Sequence, residues 1–371
     1  MKLAGERTLG GKLIAAILAA AVGVGILTRA DDLAQGIAQG LQVSGGVLIP
    51  ALFPFMILST YLVLTDGARI LSIPLRPLTK HIFRLPPEHG AVVLVSLIGG
   101  YPVGGKMISS LTEQGKLDKP VAERMIALCF GASPAFVITA VGGGILLDRR
   151  VGVILFCAQV IASLAVGLIL SLGGGLPPPS RAQTKEPGAV QAFVSAVTGS
   201  CSAMLNMCAF ATVFSGLLFV IRGSPLPLWL AAVTGVDAPT AQSLIAGFFE
   251  VTAGCMSGGQ LGGQRAILLI SVFCSWGGLS SIFQVVALFG RTKLRWKTFF
   301  VGRAIHCALS AALSVAAYRA ILTDVPAMAH EAQPVIAQNT NHWLSALCLL
   351  AMCAMLTAAP KNRPDKVYAD R

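Results

Sequence analysis

Apolar residues fall along this chain in long blocks separated by short, mostly basic stretches, without the period-two alternation of a half-buried strand. A helix needs about 20 predominantly apolar residues to cross the hydrocarbon layer. Eight blocks meet or approach that length: 12–28, 40–64, 124–147, 151–172, 206–221, 265–289, 298–320 and 342–359. Each predicts a spanning α-helix. Lys2, Arg7 and Lys12 ahead of the first block would suit a secretory leader. No small-x-small cleavage site leads from it into a soluble domain, so it reads as a retained helix.

Two further apolar stretches, 90–112 and 240–262, are interrupted in the middle. The first breaks at Gly99-Gly100-Tyr101-Pro102-Val103-Gly104-Gly105 and the second at Glu250-Val251-Thr252-Ala253-Gly254. A break strands backbone N–H and C=O groups, which hydrocarbon tolerates only where protein or a water-filled cavity supplies partners. Both stretches predict re-entrant hairpins that enter the membrane and turn back. A kinked ordinary span is the other reading of each taken alone.

Composition agrees with lipid as the solvent. The chain is 55% hydrophobic and 12% charged, against roughly 25% charged in soluble domains. Too few polar groups exist to cover a globule of this size. That excludes a soluble enzyme, a nucleic-acid-binding module and a disordered chain. The net charge of +12 belongs to cytoplasmic loops, which collect Lys and Arg. With a cytoplasmic N-terminus, eight crossings and two returning hairpins, 22 of the 28 basic residues fall inside, Arg303 among them. The 323–341 loop, with no Lys or Arg, falls outside. Both termini are then cytoplasmic. Segment 69–84 suits an interfacial helix. The nine cysteines form no CxxC pair and read as small buried thiols.

These pieces divide the chain into an N-terminal transmembrane helix (1–39), a first repeat (40–175), a Pro-rich linker (176–189), a second repeat (190–322), and an external loop, last helix and basic tail (323–371). Each repeat runs span, hairpin, centrally broken span, span. The broken spans carry Phe130-Gly131-Ala132-Ser133-Pro134-Ala135-Phe136 and Cys274-Ser275-Trp276-Gly277-Gly278-Leu279-Ser280-Ser281. The charge count gives the two repeats opposite orientation. Interrupted segments at corresponding positions of inverted repeats point to a transporter site near the midplane.

The residues at those interruptions are the candidate substrate-binding set: Tyr101, Lys106, Ser133, Glu250, Thr252, Ser275, Gly277, Gly278, Ser280 and Ser281. Lys106, just past the first hairpin tip, would attract a carboxylate; a Lys snorkelling to the interface is the plainer reading. Glu250 could carry a proton or cation, accept a hydrogen bond, or cap a helix. Tyr101 and Trp276 could clamp a flat ring or simply pack. The hydroxyls, with Gln284, offer neutral hydrogen bonds. The five histidines are scattered, and none is taken as a ligand. Without a Ser/His/Asp set, HExxH or P-loop, no enzyme activity, cofactor or metal is expected. The coupling ion, proton or sodium, is left open, as is a homo-oligomer.

Gly99-Gly100-Tyr101-Pro102-Val103-Gly104-Gly105-Lys106 with Gly131-Ala132-Ser133-Pro134-Ala135-Phe136 resembles the YlbJ-type (SpoVV) sporulation integral membrane proteins. Leu52-Phe53-Pro54-Phe55, Phe249-Glu250-Val251-Thr252-Ala253-Gly254 and Trp276-Gly277-Gly278-Leu279-Ser280 extend the resemblance over roughly 40–320. That family belongs to the nucleoside-recognition Gate proteins, similar in architecture to concentrative nucleoside transporters. The resemblance implies an all-α polytopic protein that moves dipicolinic acid by alternating access, in the mother-cell (outer forespore) membrane during sporulation. A nucleoside or other small polar solute is the alternative substrate. A scaffold or receptor for spore-envelope assembly is the alternative of another class.

Overall fold

The computed structural model describes residues 9–65, 67–172, 187–290, 292 and 294–321. The expected loop 323–341, last span 342–359 and basic tail lie outside these residues, as does most of the Pro-rich linker. All regular structure among the described residues is helical. Helix α1 (Leu9–Thr28) leads into α2 (Ala30–Val43), a wide π-type turn (Ser44–Leu48) and α3 (Ile49–Leu64). The expected first unit, 1–39, is therefore two helices, and the second continues into the expected 40–64 span.

Segment 69–84 is not the single interfacial helix expected. It is a short helix, α4 (Gly67–Leu71), followed by isolated turns at Ile73–Leu75 and Leu78–Ile82. Pro74 and Pro77 explain this, since each removes a backbone donor and clashes with the preceding turn.

The first hairpin is α5 (Gly90–Gly99) and α6 (Tyr101–Glu113). A Cβ at Gly104 would lie 2.6 Å from the Ser96 Cβ, although one continuous helix would hold these positions about 12 Å apart. The chain turns back at Gly100 alone; Gly104 and Gly105, expected in the turn, belong to α6. Next come α7 (Lys119–Leu128), an irregular stretch 129–134, a π-helical segment (Ala135–Ile145) and α8 (Arg149–Leu172). The second half opens with α9 (Ala189–Arg222), far longer than the expected span 206–221, and α10 (Leu226–Thr234). Its hairpin is α11 (Ala238–Phe249) and α12 (Val251–Gly259), turning at Glu250 alone. Gly254 packs onto Gly247, so that a Cβ there would be 2.2 Å from the Gly247 Cα. Then follow α13 (Gly263–Trp276), α14 (Gly278–Leu288) and α15 (Lys297–Ile321). The break between α13 and α14 is confined to Gly277, narrower than the expected 274–281.

Among the described residues, four helical stretches are long and apolar enough to cross a bilayer: Arg149–Leu172, Ala189–Arg222, Gly263–Leu288 and Lys297–Ile321. Shorter apolar helices occupy Ala19–Thr28, Leu52–Leu64, Pro87–Gly99 and Ala135–Ile145. The chain is a helical membrane protein.

The two hairpins have their mouths at opposite ends. At the first, the His89 Nε2 lies 3.0 Å from the Lys116 carbonyl. At the second, Asp237 caps α11 through the Thr240 amide and pairs with Arg265 at 3.0 Å; hydrogen bonds from Thr240 hold its carboxyl below the usual carboxylate value. Helices α13 and α14 run from one mouth to the other. Arg265 stands at their start, and the Leu288 carbonyl at their end accepts from Ser109 on α6 at 2.6 Å. Their 26 residues span about 39 Å, enough to cross the hydrocarbon layer. Helix α15 runs alongside, from the Glu123–Arg295 contact (2.7 Å to the Arg295 amide) to the Arg319–Gln264 contact (2.8 Å).

These ends predict opposite accessibility. With Cys157 replaced by Ala, a Glu113→Cys thiol should react with an impermeant maleimide from the cytoplasm, and a Thr234→Cys thiol from outside. Reaction of both from one face would contradict a pair of opposed hairpins.

Candidate functional site

The interruptions meet. Gly100 takes φ +82°, and a Cβ there would lie 3.2 Å from the Ser133 Cβ in the break of the same half. Gly278, at φ +73°, faces the second hairpin tip in the same way: a Cβ would be 3.0 Å from the Glu250 Cα. The two breaks also touch each other. At Gly277, φ +85°, a Cβ would come within 2.7 Å of the Phe130 ring and 3.2 Å of the Tyr101 ring. Left-handed backbone and this close approach together require glycine. The Tyr101 hydroxyl donates to the Cys274 carbonyl, and its ring lies 4.7 Å from that of Phe130.

Helix ends brought together bring their partial charges, roughly −0.5 at a C-terminus and +0.5 at an N-terminus. The C-termini of α7 and α13 share one cation. Arg303, at 0% exposure, donates from Nη1 to the Phe130 carbonyl (2.6 Å) and the Ser275 carbonyl (3.0 Å), and from Nη2 to the Ala127 carbonyl (2.5 Å). Its guanidinium also lies 5.0 Å from the Phe130 ring centroid and 5.7 Å from that of Phe299. Arg303, counted with the cytoplasmic charges although it falls in the expected span 298–320, is thus an interior residue. It stands close to the basic run 291–297 in sequence, yet α15 begins at Lys297 and carries it inward.

His306 lies one turn further along α15. It is fully buried, with Nε2 3.0 Å from both the Gln159 carbonyl and the Ser163 Oγ. An ionisable residue inside an apolar block is a signal that could have found both.

The N-termini are treated unevenly. Glu250 caps α12, its carboxylate accepting from the Thr252 amide (3.0 Å) and the Ala253 amide (2.6 Å). Ser133 Oγ accepts from the Phe136 amide at 3.3 Å. Helices α6 and α14 have no side-chain cap, and they lie side by side: a Cβ at Gly105 would be 3.2 Å from the Val285 Cγ1. Lys106 stands half-buried on α6. Among the described residues it forms no hydrogen bond or ion pair, and the Glu113 carboxylate further along the helix is the charge that acts on it.

The expected residues therefore divide. Tyr101, Ser133, Glu250, Thr252, Ser275, Gly277 and Gly278 gather at the crossing. Lys106, Ser280 and Ser281 lie further along α6 and α14, where Ser280 Oγ accepts from the Gln284 amide at 3.1 Å. Trp276 is engaged in packing. Its indole donates to the Phe248 carbonyl (3.1 Å) and stacks on the Phe248 ring at 5.8 Å. Tyr101 is likewise held by its neighbours. Among the described residues no three His, Cys, Asp or Glu side chains group as metal ligands.

Gly277→Ala should lower the unfolding midpoint of purified protein, with backbone strain alone costing about 1–3 kcal/mol. Gly199→Ala on α9, where a Cβ meets nothing within 4 Å, should be neutral or stabilising by up to about 1 kcal/mol. Equal midpoints for the two variants would refute contact between the breaks. Arg303→Met should lose several kcal/mol of stability (about 3–5 for breaking a buried charged contact), read as loss of monodisperse protein on gel filtration.

No family model matches the chain, and no solved structure matches it. A curated relative does. The sporulation integral membrane protein YlbJ of Bacillus subtilis (strain 168) is 27% identical over 316 residues, covering 76% of this chain and 77% of that protein. The match agrees with the helical membrane architecture, and it makes this chain similar to a sporulation integral membrane protein.

Proposed function

We propose that the chain is a membrane transporter of a small organic anion, with dipicolinate the first candidate, rather than an enzyme or a scaffold. The observation that carries the proposal is the meeting of four interruptions between two hairpins with opposite mouths. Stable membrane helices gain nothing from being broken at one depth. A solute site does, because broken helices present backbone groups and helix-end charges inside the bilayer. On this reading the hairpins are re-entrant, the two halves are inverted repeats, and access alternates between the two mouths.

The anionic class rests on charge. Two uncapped N-termini, α6 and α14, offer about +0.5 each, and Lys106, more than a turn further along α6, adds a full charge. Together these match the two carboxylates of a planar dicarboxylate. The Glu250 carboxylate is bonded to the Thr252 and Ala253 amides of α12. Dipicolinate among such anions is suggested by the resemblance to sporulation membrane proteins. A nucleoside or other neutral solute is the second reading, favoured by the Ser280–Gln284 pair, which presents uncharged polar groups on α14. Uptake by reconstituted vesicles separates both from a scaffold that transports nothing.

Lys106→Ala should weaken dipicolinate binding roughly ten- to a hundredfold, the loss of one charge-assisted hydrogen bond of about 1.5–3 kcal/mol. Lys106→Arg should retain part of it, and neutral solutes should change less. Titration by calorimetry reads all three. Unchanged dipicolinate affinity in well-folded Lys106→Ala would move the assignment to an uncharged substrate.

A further inference from the structure

Behind the crossing lies a group of buried polar side chains, of which only Ser275 belongs to the candidate substrate-binding set. Gln159 on α8 is 3% exposed, and neither its amide oxygen nor its amide nitrogen has a partner within the protein. Ser275 Oγ and Arg303 Nε are in the same condition, both residues at 0% exposure. His306 ties the group together. Its Nε2 meets the Gln159 carbonyl, which can only accept, so Nε2 carries the proton. Its Nδ1 lone pair then faces Arg303 Nη1 at 3.5 Å, and that same Nη1 donates to the Ser275 carbonyl.

Two occupants suit such a cluster, a small anion or water, and the electrostatics choose. A lone buried guanidinium would call for an anion. This one already sits on the C-termini of α7 and α13, about −0.5 each, which together offset its charge. The leftover groups also include an acceptor, the Gln159 amide oxygen, and a halide has no proton to donate to it. Water can accept from Arg303 Nε and donate to Gln159 in one step, and buried waters make about three such bonds.

We infer that Gln159, Ser275, Arg303 and His306 enclose a hydrated chamber, a binding site for ordered water at the depth of the breaks. The water solvates the Nε–H, one of the two guanidinium N–H groups that the three carbonyls leave over. It also gives Arg303 a replacement partner whenever a broken span shifts. The inference is independent of what solute, if any, the protein moves.

Gln159→Met tests it, since the thioether keeps length and volume while removing both polar atoms. If water bridges the cluster, the variant should unfold several degrees below the parent, because Arg303 Nε and Ser275 Oγ lose their bridge. A midpoint that rises would mean that Gln159 is a dry, unsatisfied group, and would overturn the inference. A parent midpoint that falls when chloride is exchanged for gluconate would assign the site to a halide and overturn it equally. Should the variant fail to fold, water-resolving maps of the parent in lipid nanodiscs decide. Density within about 3 Å of both the Gln159 amide and Arg303 Nε, typical hydrogen-bond range, supports the chamber, and none there refutes it.

Discussion

Every interrupted helix in this protein raises the same problem: backbone carbonyls and amides set free where lipid can offer them nothing. The Arg303 guanidinium answers much of it at one point. It is the only group in the described chain seen to bond the ends of both broken spans, taking two carbonyls from the first half and one from the second. A charge at this depth is costly in isolation. Here two helix C-termini lower that cost, and the charge in turn makes the breaks tolerable. Neither feature is stable without the other. The remaining contacts at the crossing, Tyr101 to Cys274 and the rings of Phe130 and Phe299 around the guanidinium, depend on that pairing.

The same logic separates two kinds of polarity. C-termini of the broken spans are consumed internally by Arg303. The N-terminus of α12 is consumed by Glu250, and that of the π-helical segment by Ser133. The N-termini of α6 and α14 are left without a side-chain cap.

Much of this was legible from the residues. Gly100, Glu250 and the Gly277-Gly278 pair mark the three sharpest turns at the crossing, because punctuation by Gly, or by a capping carboxylate in an apolar run, acts locally. The extent of each break was not legible. Gly104, Gly105 and Gly254 look like turn residues, yet they sit within helices where a partner backbone comes close, a tertiary fact. The single helix expected over 69–84 is broken for the opposite reason, since the prolines outweigh an amphipathic pattern. Arg303 was misplaced because counting charges by loop assigns a residue near a helix start to the nearest basic run. The cost of burying it is met by carbonyls from α7, α13 and the first break, distant in sequence and silent in composition.

Helix α2 meets α9 almost backbone to backbone: a Cβ at Gly36 would stand 2.8 Å from the Gly216 Cα, and one at Gly40 2.6 Å from the Thr212 Cα. Surfaces that close cannot slide past one another without collision, and the Leu33 and Ile37 side chains pack on Gly216 at 3.0 and 3.1 Å from its would-be Cβ. This seam is therefore a fixed strut. Under the proposed transport function, motion has to be taken up elsewhere, by the hairpins and broken spans against a frame that α2 and α9 hold still.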